Sequence, residues 1–510
     1  MIKEKIKKSP IMTFIILIFS TILISGFLHF INIQSEYTTV NPVTSDLVNN
    51  VVEVKNLFSL RGIKHIVTTA VSGFVNFEPL PMLIIVLIGI GMLEKSGFLR
   101  TFFTLITRNT KKYTVTFILI LISLLFSIIG NIGYVVMLPL GALLFKYGKR
   151  NPLGGIIATF ASLSFGYGIN VFLSNNDSTL LSLTLNAART IDPKYNINVF
   201  YALFFMIVAV IILAILFTNI TEKKVMTKLS RYDYDEEEYN VTNKDLRGLV
   251  ISVGVGILYL FIIGYMIIPG LPLSGTLLDH SGTRYIDMLF GSNSLFSQGF
   301  IFIVTLWFVI IGLVYGYVTK KFKNNNDVAV GLGHSLDDIG GILVLIFFAS
   351  LFINVYEESN IGIVITAFLT KLIRALSFNG IMLIVISFIL IGIANIFCPN
   401  SITKWSIISA TMVPLFINSS ISPEYANIIY NLGDSVTNGL TPLLTYFVIY
   451  VAFMEKYNKS EKTITLFGSQ KFMLNYACVS FIVMFMLIVC WYLIGIPTGI
   501  GANPGIVYGA

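Results

Sequence analysis

The stretch Gly433-Asp-Ser-Val-Thr-Asn-Gly439 decides the fold, because it places small polar residues inside a long apolar segment. Three similar breaks lie at residues 127–133, 166–177 and 395–401. Backbone amide and carbonyl groups cannot face lipid without hydrogen-bond partners, so broken helices at membrane depth must line a cavity enclosed by protein. Paired breaks in corresponding positions of two halves are typical of the binding site of a secondary transporter.

The composition is that of a polytopic membrane protein. The 510 residues are 55% hydrophobic and 12% charged, whereas soluble domains carry about 25% charged residues. The net charge of +8 fits Lys and Arg collecting in cytoplasmic loops, and no basic stretch is interleaved with aromatic residues in the way that indicates nucleic-acid binding. The sequence lacks a nucleotide-binding motif, an acyl-transfer triad and metal-ligand spacing of Cys or His. We therefore expect no enzyme and no cofactor other than a coupling ion.

Seven apolar runs predict ordinary membrane-spanning helices of about 17–25 residues. The runs lie near residues 11–33, 80–98, 196–219, 248–268, 297–318, 334–355 and 472–495. The first follows a basic start, as in a signal peptide, but it is long enough to span and no clear cleavage site follows it, so we expect a retained helix. Two short segments, 99–112 and 361–378, mix Lys or Arg with apolar residues and predict interfacial helices.

Four further segments contain the breaks. Segments 113–147 and 379–418 are too short for two crossings, which need about 40 residues plus a turn. Each is predicted to be a re-entrant hairpin, with tips at Gly130-Asn131 and near Pro399-Asn-Ser401. Segments 152–187 and 423–454 are long enough to cross once with an unwound centre. The expected architecture is all-α, with about nine transmembrane helices and two hairpins.

The two halves predict an inverted repeat. The first repeat covers residues 1–219 and the second covers residues 297–510, each with one hairpin and one broken helix. Residues 220–296 hold a cytoplasmic linker, a connecting helix at 248–268 and an outer loop. This one extra crossing turns the second repeat upside down. Basic clusters place the N-terminus in the cytoplasm, and the loops at 34–79, 269–296 and 355–360 are expected outside. The acidic run at 233–238 is interpreted as part of a solvated linker.

The breaks also supply the candidate transport residues. A carboxylate in mid-membrane costs about 2.5–3.5 kcal/mol on insertion scales and needs a cation, a proton or a set of donors. Asp434 is a stronger candidate than Asp177 because hydroxyl and amide side chains surround it, although Asp is also common as a helix cap. Trp405 suits either stacking on an aromatic solute or anchoring at the membrane interface. The predicted substrate-binding residues are Asn131, Asn170, Asp177, Asn400, Ser401, Trp405, Asn431, Asp434, Asn438 and Pro442, and the candidate Na⁺ ligands are Asn131, Asp434, Ser435 and Thr437.

Several ordered motifs resemble the p-aminobenzoyl-glutamate transporter (AbgT) family. The most specific are Gly133-Tyr-Val-Val-Met-Leu-Pro-Leu-Gly141, Asn151-Pro-Leu-Gly-Gly155, Lys404-Trp405, and Leu432-Gly-Asp-Ser-Val-Thr-Asn438 with Thr441-Pro442. The resemblance runs from about Asn56 to Gly495. It implies a homodimer with nine spans and two hairpins per subunit, and uptake of p-aminobenzoyl-glutamate or export of folate-pathway antimetabolites such as sulfonamides. It also implies functional roles for Asp177, Trp405, Pro423, Asp434 and Pro442.

This chain departs from the family pattern at two positions. The family usually has Ser-Asp-Ala before the Gly-Tyr-Val-Val motif, where this chain has Gly130-Asn-Ile132. The family also usually has Arg two residues before Gly-Asp-Ser, where this chain has Asn431. Loss of that Arg removes a bidentate clamp for a carboxylate. The departures therefore put the usual substrate in doubt.

The sequence thus predicts an ion-coupled secondary active transporter of a small polar, anionic organic solute in the cell membrane. The coupling ion is either Na⁺ or H⁺, since both suit broken helices that carry carboxylates. Two alternatives remain open at this point. One is a channel or solute sensor on a transporter scaffold, and the other is a transporter of a different substrate class, such as dicarboxylates.

Overall fold

The computed structural model describes residues 9–41, 46–171, 173–230, 232, 239–282, 284–291, 293–337, 339–459 and 463–506. The helices of the first half are α1 Pro10–Phe30, α2 Leu60–Val75, α3 Pro79–Ser96, α4 Phe98–Asn109, α5 Lys112–Leu125, α6 Ile132–Tyr147, α7 Pro152–Phe165, α8 Asn175–Arg189, α9 Leu203–Ile220 and α10 Asn243–Met266. Those of the second half are α11 Tyr285–Phe290, α12 Leu295–Val318, α13 Asn325–Gly333, α14 Gly340–Glu358, α15 Ile361–Ala375, α16 Gly380–Phe397, α17 Ser401–Asn418, α18 Pro423–Asn438, α19 Phe447–Lys456 and α20 Leu466–Ile494.

In the described part of the chain, nine helical stretches are long and apolar enough to cross a membrane. Seven of them overlap the ordinary spans that the sequence predicts. The other two, Lys112–Ile129 and Gly380–Phe397, are the first arms of the predicted hairpins. The class of helical, polytopic membrane protein is therefore confirmed, whereas the inverted repeat and the re-entrant insertion of the hairpins stay predictions.

Each predicted hairpin is a pair of helices joined by a short turn. In hairpin 1 (α5 and α6), a 3₁₀ turn leads into Gly130, whose φ of +58° favours glycine. In hairpin 2 (α16 and α17), helix α16 ends before Cys398, and Pro399 has no N–H to continue it. The Asn400 side chain then caps α17 by accepting from the Thr403 N–H at 3.0 Å. Local sequence therefore fixes both turns.

The broken helices are α7 with α8 and α18 with α19. Break 1 covers the described residues from 166 to 174, within the predicted 166–177. Break 2 covers residues 439–446, so the prediction of a break at 433–439 was wrong for residues 433–438, which continue helix α18. Helices α7 and α18 both begin at a proline, Pro152 or Pro423, after a side-chain cap from Asn151 or Ser422. Proline suits the first helical turn because the N–H it lacks would have no partner there.

Three further predicted boundaries or segments differ from the structure. The expected loop at 34–79 contains an antiparallel pair of strands, β1 Gln34–Val40 and β2 Leu47–Glu53, followed by α2. The span predicted at 334–355 begins only at Gly340, because residues 334–336 form a 3₁₀ turn after α13. The span predicted at 196–219 begins at Leu203, after non-helical residues. The acidic run at 233–238 lies outside the described residues.

Helix α18 lies at the centre of the molecule although it is polar. Every residue of α18 except Thr437 is buried, and the helix packs on α7, α8, α16, α17 and α20. Helix α10 is the opposite case. It is apolar, and only 11% of an 18-residue apolar stretch within it is buried. The polar residues are therefore enclosed by protein, and apolar faces are left for lipid or another subunit.

Candidate functional site

Break 1 packs directly on α18. The Gly168 N–H donates to Ser435 Oγ at 2.7 Å, and that hydroxyl donates to the Asn431 carbonyl at 2.7 Å. A Cβ on residue 168 would lie 2.3 Å from the Asn431 carbonyl oxygen. This approach therefore requires glycine, and it joins the first broken helix to the second.

Hairpin 1 is connected to break 1 by side chains. Ser127 Oγ donates to Asn170 Oδ1 at 2.7 Å, and the Tyr167 hydroxyl donates to Asn131 Oδ1 at 3.4 Å. Asn131 Nδ2 donates in turn to the Glu78 carboxylate at 3.2 Å. Asn131 is therefore tied to the start of α3 and to break 1.

Hairpin 2 is tied to α18 by a buried ion pair between Lys404 and Asp434. The two residues are 0% and 2% exposed. Lys404 Nζ also donates to Asn395 Oδ1 at 2.6 Å and to the Cys398 carbonyl at 3.0 Å. The ammonium group thus meets one acceptor for each of its three N–H bonds, as a buried charge requires.

Asn395 completes this arrangement from the end of α16. Its Nδ2 donates to the Asp434 carbonyl at 2.6 Å and to Asn438 Oδ1 at 2.8 Å. Farther along, the Thr441 hydroxyl donates to the Ile396 carbonyl at 2.8 Å, next to Pro442 in break 2. Side chains of hairpin 2 and of break 2 therefore satisfy the backbone groups that the helix ends leave free.

The four candidate Na⁺ ligands face different partners. Asp434 pairs with Lys404, and Asn131 bonds Glu78. The Ser435 hydroxyl accepts from the Gly168 N–H of break 1 and donates to the Asn431 carbonyl of its own helix. The Thr437 hydroxyl donates to the Gly392 carbonyl of α16 at 2.9 Å. Since a bound Na⁺ needs its oxygen ligands around one point, these four side chains would have to rearrange to share a cation.

Asp177 is buried and caps helix α8. Its Oδ2 accepts from the Ser174 N–H at 2.9 Å, from the Ser174 hydroxyl at 2.7 Å and from Asn170 Nδ2 at 2.8 Å. The Ser174 hydroxyl accepts from the Asp177 N–H, which completes a capping box. A carboxylate is favoured at this helix end by the helix dipole. Asp177 therefore has a structural role in this conformation and is hydrogen-bonded directly to Asn170.

Trp405 is fully buried and stacks on Tyr430, with ring centroids 4.2 Å apart. Its Nε1 donates to Thr184 Oγ1 at 2.9 Å. Asn427 Nδ2 donates to the same oxygen at 2.7 Å, and Asn431 Nδ2 donates to Asn427 Oδ1 at 3.1 Å. Trp405 and Asn431 thus belong to one polar network, and the indole ring is enclosed by protein.

A small chamber lies between break 1, the start of α9 and Asn431. Gly168, Asn170, Asp177 and Tyr201 also line it. Its volume is about 20 Å³, which suits about one water molecule. An organic solute can enter only after these elements separate. Ser401 lies near this region through a 3.2 Å hydrogen bond from Asn176 Nδ2.

The segment 498–506 covers the outer wall of this chamber. The Thr498 hydroxyl donates to the Tyr201 carbonyl at 2.7 Å, and the Ile500 N–H donates to the Phe200 carbonyl at 3.0 Å. The Ser422 N–H donates to the Pro504 carbonyl at 2.9 Å, just before α18. One segment therefore joins the start of α18 to the residues that lead into α9.

Lys404 was not predicted as the partner of Asp434, and no role was predicted for Thr184, Asn427 or Tyr201. A signal for Lys404 was available, because an ionisable residue inside an otherwise apolar helix marks a functional site by default. The neutral residues carried no such signal. This chain has Asn131 and Asn431 where the family usually has an acid and a base. It still has one buried acid–base pair, Lys404 with Asp434, between hairpin 2 and α18.

Comparison with known families decides the identity. A family model described as "AbgT putative transporter family" matches residues 3–506. The chain belongs to the AbgT family of transporters. The p-aminobenzoyl-glutamate transport protein of Escherichia coli (strain K12) is 25% identical over 455 residues, which cover 89% of this chain and 87% of that protein. This AbgT protein is therefore a multi-pass membrane transporter and not an enzyme.

Two solved structures of similar proteins come from Alcanivorax borkumensis and Neisseria gonorrhoeae. The YdaH transporter of the former is 25% identical, with coverage of 96% of this AbgT chain and 100% of that chain and a TM-score of 0.49. MtrF of the latter is 27% identical, with coverage of 98% of both chains and a TM-score of 0.49. MtrF is described as illuminating a class of antimetabolite efflux pumps.

Proposed function

We propose that this AbgT-family transporter is ion-coupled and carries a small anionic organic solute, such as p-aminobenzoyl-glutamate or a folate-pathway antimetabolite of the sulfonamide type. Family membership and the name of the Escherichia coli relative support the solute class. The observation that carries the proposal is the buried Lys404–Asp434 pair between hairpin 2 and the second broken helix.

The pair explains how an anion and a cation can be coupled. A solute carboxylate that reaches Lys404 replaces Asp434 as the acceptor of its N–H bonds. The Asp434 carboxylate is then left without a counter-charge in a buried position, which is strongly unfavourable. Binding of Na⁺ or H⁺ by Asp434 removes this penalty and keeps the site neutral. Solute and cation therefore bind well together and poorly alone.

Lys404 also accounts for the missing family arginine. Asn431 cannot clamp a carboxylate by charge, but the Lys404 ammonium group is supplied one helix away by hairpin 2. A lysine offers a point charge and no bidentate fork. We therefore expect weaker discrimination between carboxylates and sulfonamide anions than an arginine gives. Asn170, Asn400, Ser401 and Asn438 supply amides and hydroxyls to polar groups of the solute after the chamber opens.

A homodimer with its N-terminus in the cytoplasm is proposed as the working unit. Helix α10 is the proposed dimer face, because it exposes large apolar side chains along much of its length, among them Val250, Leu258 and Phe261. Such a face suits lipid or a second copy of the chain. Cross-linking of single cysteines on α10 in native membranes tests this assembly, and only monomer bands at every position would contradict it.

The transport test uses purified protein in liposomes with labelled p-aminobenzoyl-glutamate. Inward Na⁺ and inward H⁺ gradients are imposed separately, and uptake that follows only one of them identifies the coupling ion. Asp434→Ala and Lys404→Met are expected to abolish uptake. Wild-type uptake by Asp434→Ala would contradict the assignment. Unitary currents, or binding without flux, would favour a channel or a sensor instead.

A further inference from the structure

A second cavity lies beside the turn of hairpin 2, between the end of α14 and the start of α15. Its volume is about 270 Å³, near the lower end of the roughly 300–1,000 Å³ that is usual for ligand pockets. Residues of 353–363 form one side, and residues 397–400 of the turn form the other. Of the predicted substrate-binding residues, only Asn400 lines this cavity.

Two polar groups at this cavity lack protein partners within the described residues. The Tyr356 hydroxyl is buried and makes no hydrogen bond. The Glu357 carboxylate, exposed at the rim, makes no ion pair or hydrogen bond with the described chain. Its neighbour Glu358, in contrast, pairs with Lys55 at 2.9 Å. A buried hydroxyl without a partner costs about 1–3 kcal/mol, so a ligand that meets the Tyr356 hydroxyl is favoured.

The rest of the lining, which also includes Asn360, Asn400 and Thr403, has an apolar side that indicates the kind of ligand. Ile353, Ile363, Phe397 and Leu443 form an apolar wall, which suits an alkyl or aryl body. A bare metal cation would need about six oxygen ligands and would leave this wall unused. An anion would meet the Glu357 charge. We propose that this cavity binds a small organic ammonium compound, with its charged group at Glu357 and its hydrocarbon body on the apolar wall.

The cavity touches the turn that supports the transport pair. A Cβ on residue 362 would lie 2.5 Å from the Phe397 carbonyl oxygen, so Gly362 lets α15 press against the end of α16. The next residue, Cys398, lines the cavity and gives its carbonyl to Lys404. An ammonium ligand here contacts both α14 and this turn, and so it restrains hairpin 2. The site shares Asn400 with the proposed solute site, but its charged group is Glu357 and not the Lys404–Asp434 pair, so it does not depend on the proposed function.

The test is thermal unfolding of the purified full-length protein with benzylamine as the probe. Benzyl alcohol and benzoate are the neutral and anionic controls of similar size. A ligand that binds only the folded state raises the melting temperature in a saturable way. Benzylamine is expected to do so, while benzyl alcohol and benzoate are not. Glu357→Gln is expected to weaken the apparent affinity for benzylamine about 10- to 100-fold, the range for one lost bond to a charged group.

Matched variants make the result decisive. Glu358→Gln changes the adjacent carboxylate and should keep the benzylamine shift. Ile363→Trp fills the cavity without touching the carboxylate and should remove the shift. An equal benzylamine shift in Glu357→Gln and in the wild type, or an equal shift with benzyl alcohol, overturns the proposal. Asp434→Asn should lose transport and keep the shift, so the two proposals fail separately.

Discussion

Replacement of Lys404 by methionine should be one of the most destabilising single changes in this transporter. The ammonium group meets three acceptors, namely the Asp434 carboxylate, Asn395 Oδ1 and the Cys398 carbonyl. In Lys404→Met the Asp434 carboxylate, 2% exposed, loses its counter-charge. Removing one partner of a buried ion pair costs about 3–5 kcal/mol.

The reverse change should cost less. In Asp434→Asn the ammonium group keeps two neutral acceptors, on Asn395 and Cys398, and loses one charged hydrogen bond. The buried ammonium group still loses its counter-charge, so the cost should lie toward the lower end of the range of about 3–5 kcal/mol. The double variant Lys404→Met/Asp434→Leu should regain most of the stability, because apolar replacements of a buried pair are often neutral or better. It should still fail to transport.

The assay is equilibrium unfolding in detergent, paired with uptake per folded protein in liposomes. The Arg150–Glu222 pair, 2.6 Å apart, with Arg150 buried and Glu222 partly buried, is the control, since it lies at the end of α7 opposite break 1. Arg150→Met should lose stability, and Arg150→Met/Glu222→Leu should regain stability and transport normally. The reasoning is refuted if Lys404→Met is as stable as the wild type, or if the charge-free Lys404 and Asp434 double variant transports.

Three further changes test the contacts around the chamber. Gly168→Ala places a Cβ 2.3 Å from the Asn431 carbonyl oxygen and should abolish uptake. Gly254→Ala is the control and should leave uptake unchanged, because nothing lies within 4 Å of its Cβ. Equal uptake by both variants would contradict the close packing at Gly168. Trp405→Phe keeps a ring on Tyr430 but loses the bond to Thr184, so its free energy of unfolding should fall by about 0.5–1.5 kcal/mol. Thr498→Val removes one hydroxyl bond and should raise the amide exchange rate at residues 200–203; unchanged exchange would show that this bond does not hold the wall.

Much of the fold could be predicted because its signals are local. A run of about 20 apolar residues is enough to identify a span. A proline marks where α7 or α18 begins. The β1–β2 hairpin was missed, although Thr, Tyr and Val in Gln34–Val40 favour strands. The loop at 34–79 was interpreted only from its low content of Lys and Arg. That content indicates on which side of the membrane a loop lies, but it carries no information on local structure.

The site could be predicted only in part. Breaks in apolar segments identified Asn170, Asp177 and Asp434, because polar residues at membrane depth are visible in the sequence. The pairing of Lys404 with Asp434 depends on packing between residues 30 positions apart in the chain, which no periodicity encodes. The cap formed by Asp177 depends on where α8 begins, and helix boundaries within a break are poorly fixed by composition.

The segment 498–506 bears on the order in which this transporter is made. Its bond from Thr498 to Tyr201 spans 297 positions of sequence. At synthesis rates of about 5–20 residues per second, Tyr201 emerges roughly 15–60 s before its partner. During that interval the helices that flank the chamber can enter the membrane, but the wall formed by residues 200–203 lacks the segment 498–506 that holds it. The solute chamber is therefore a late product of biosynthesis, and a translation stop before residue 498 should yield an inserted protein with an open wall.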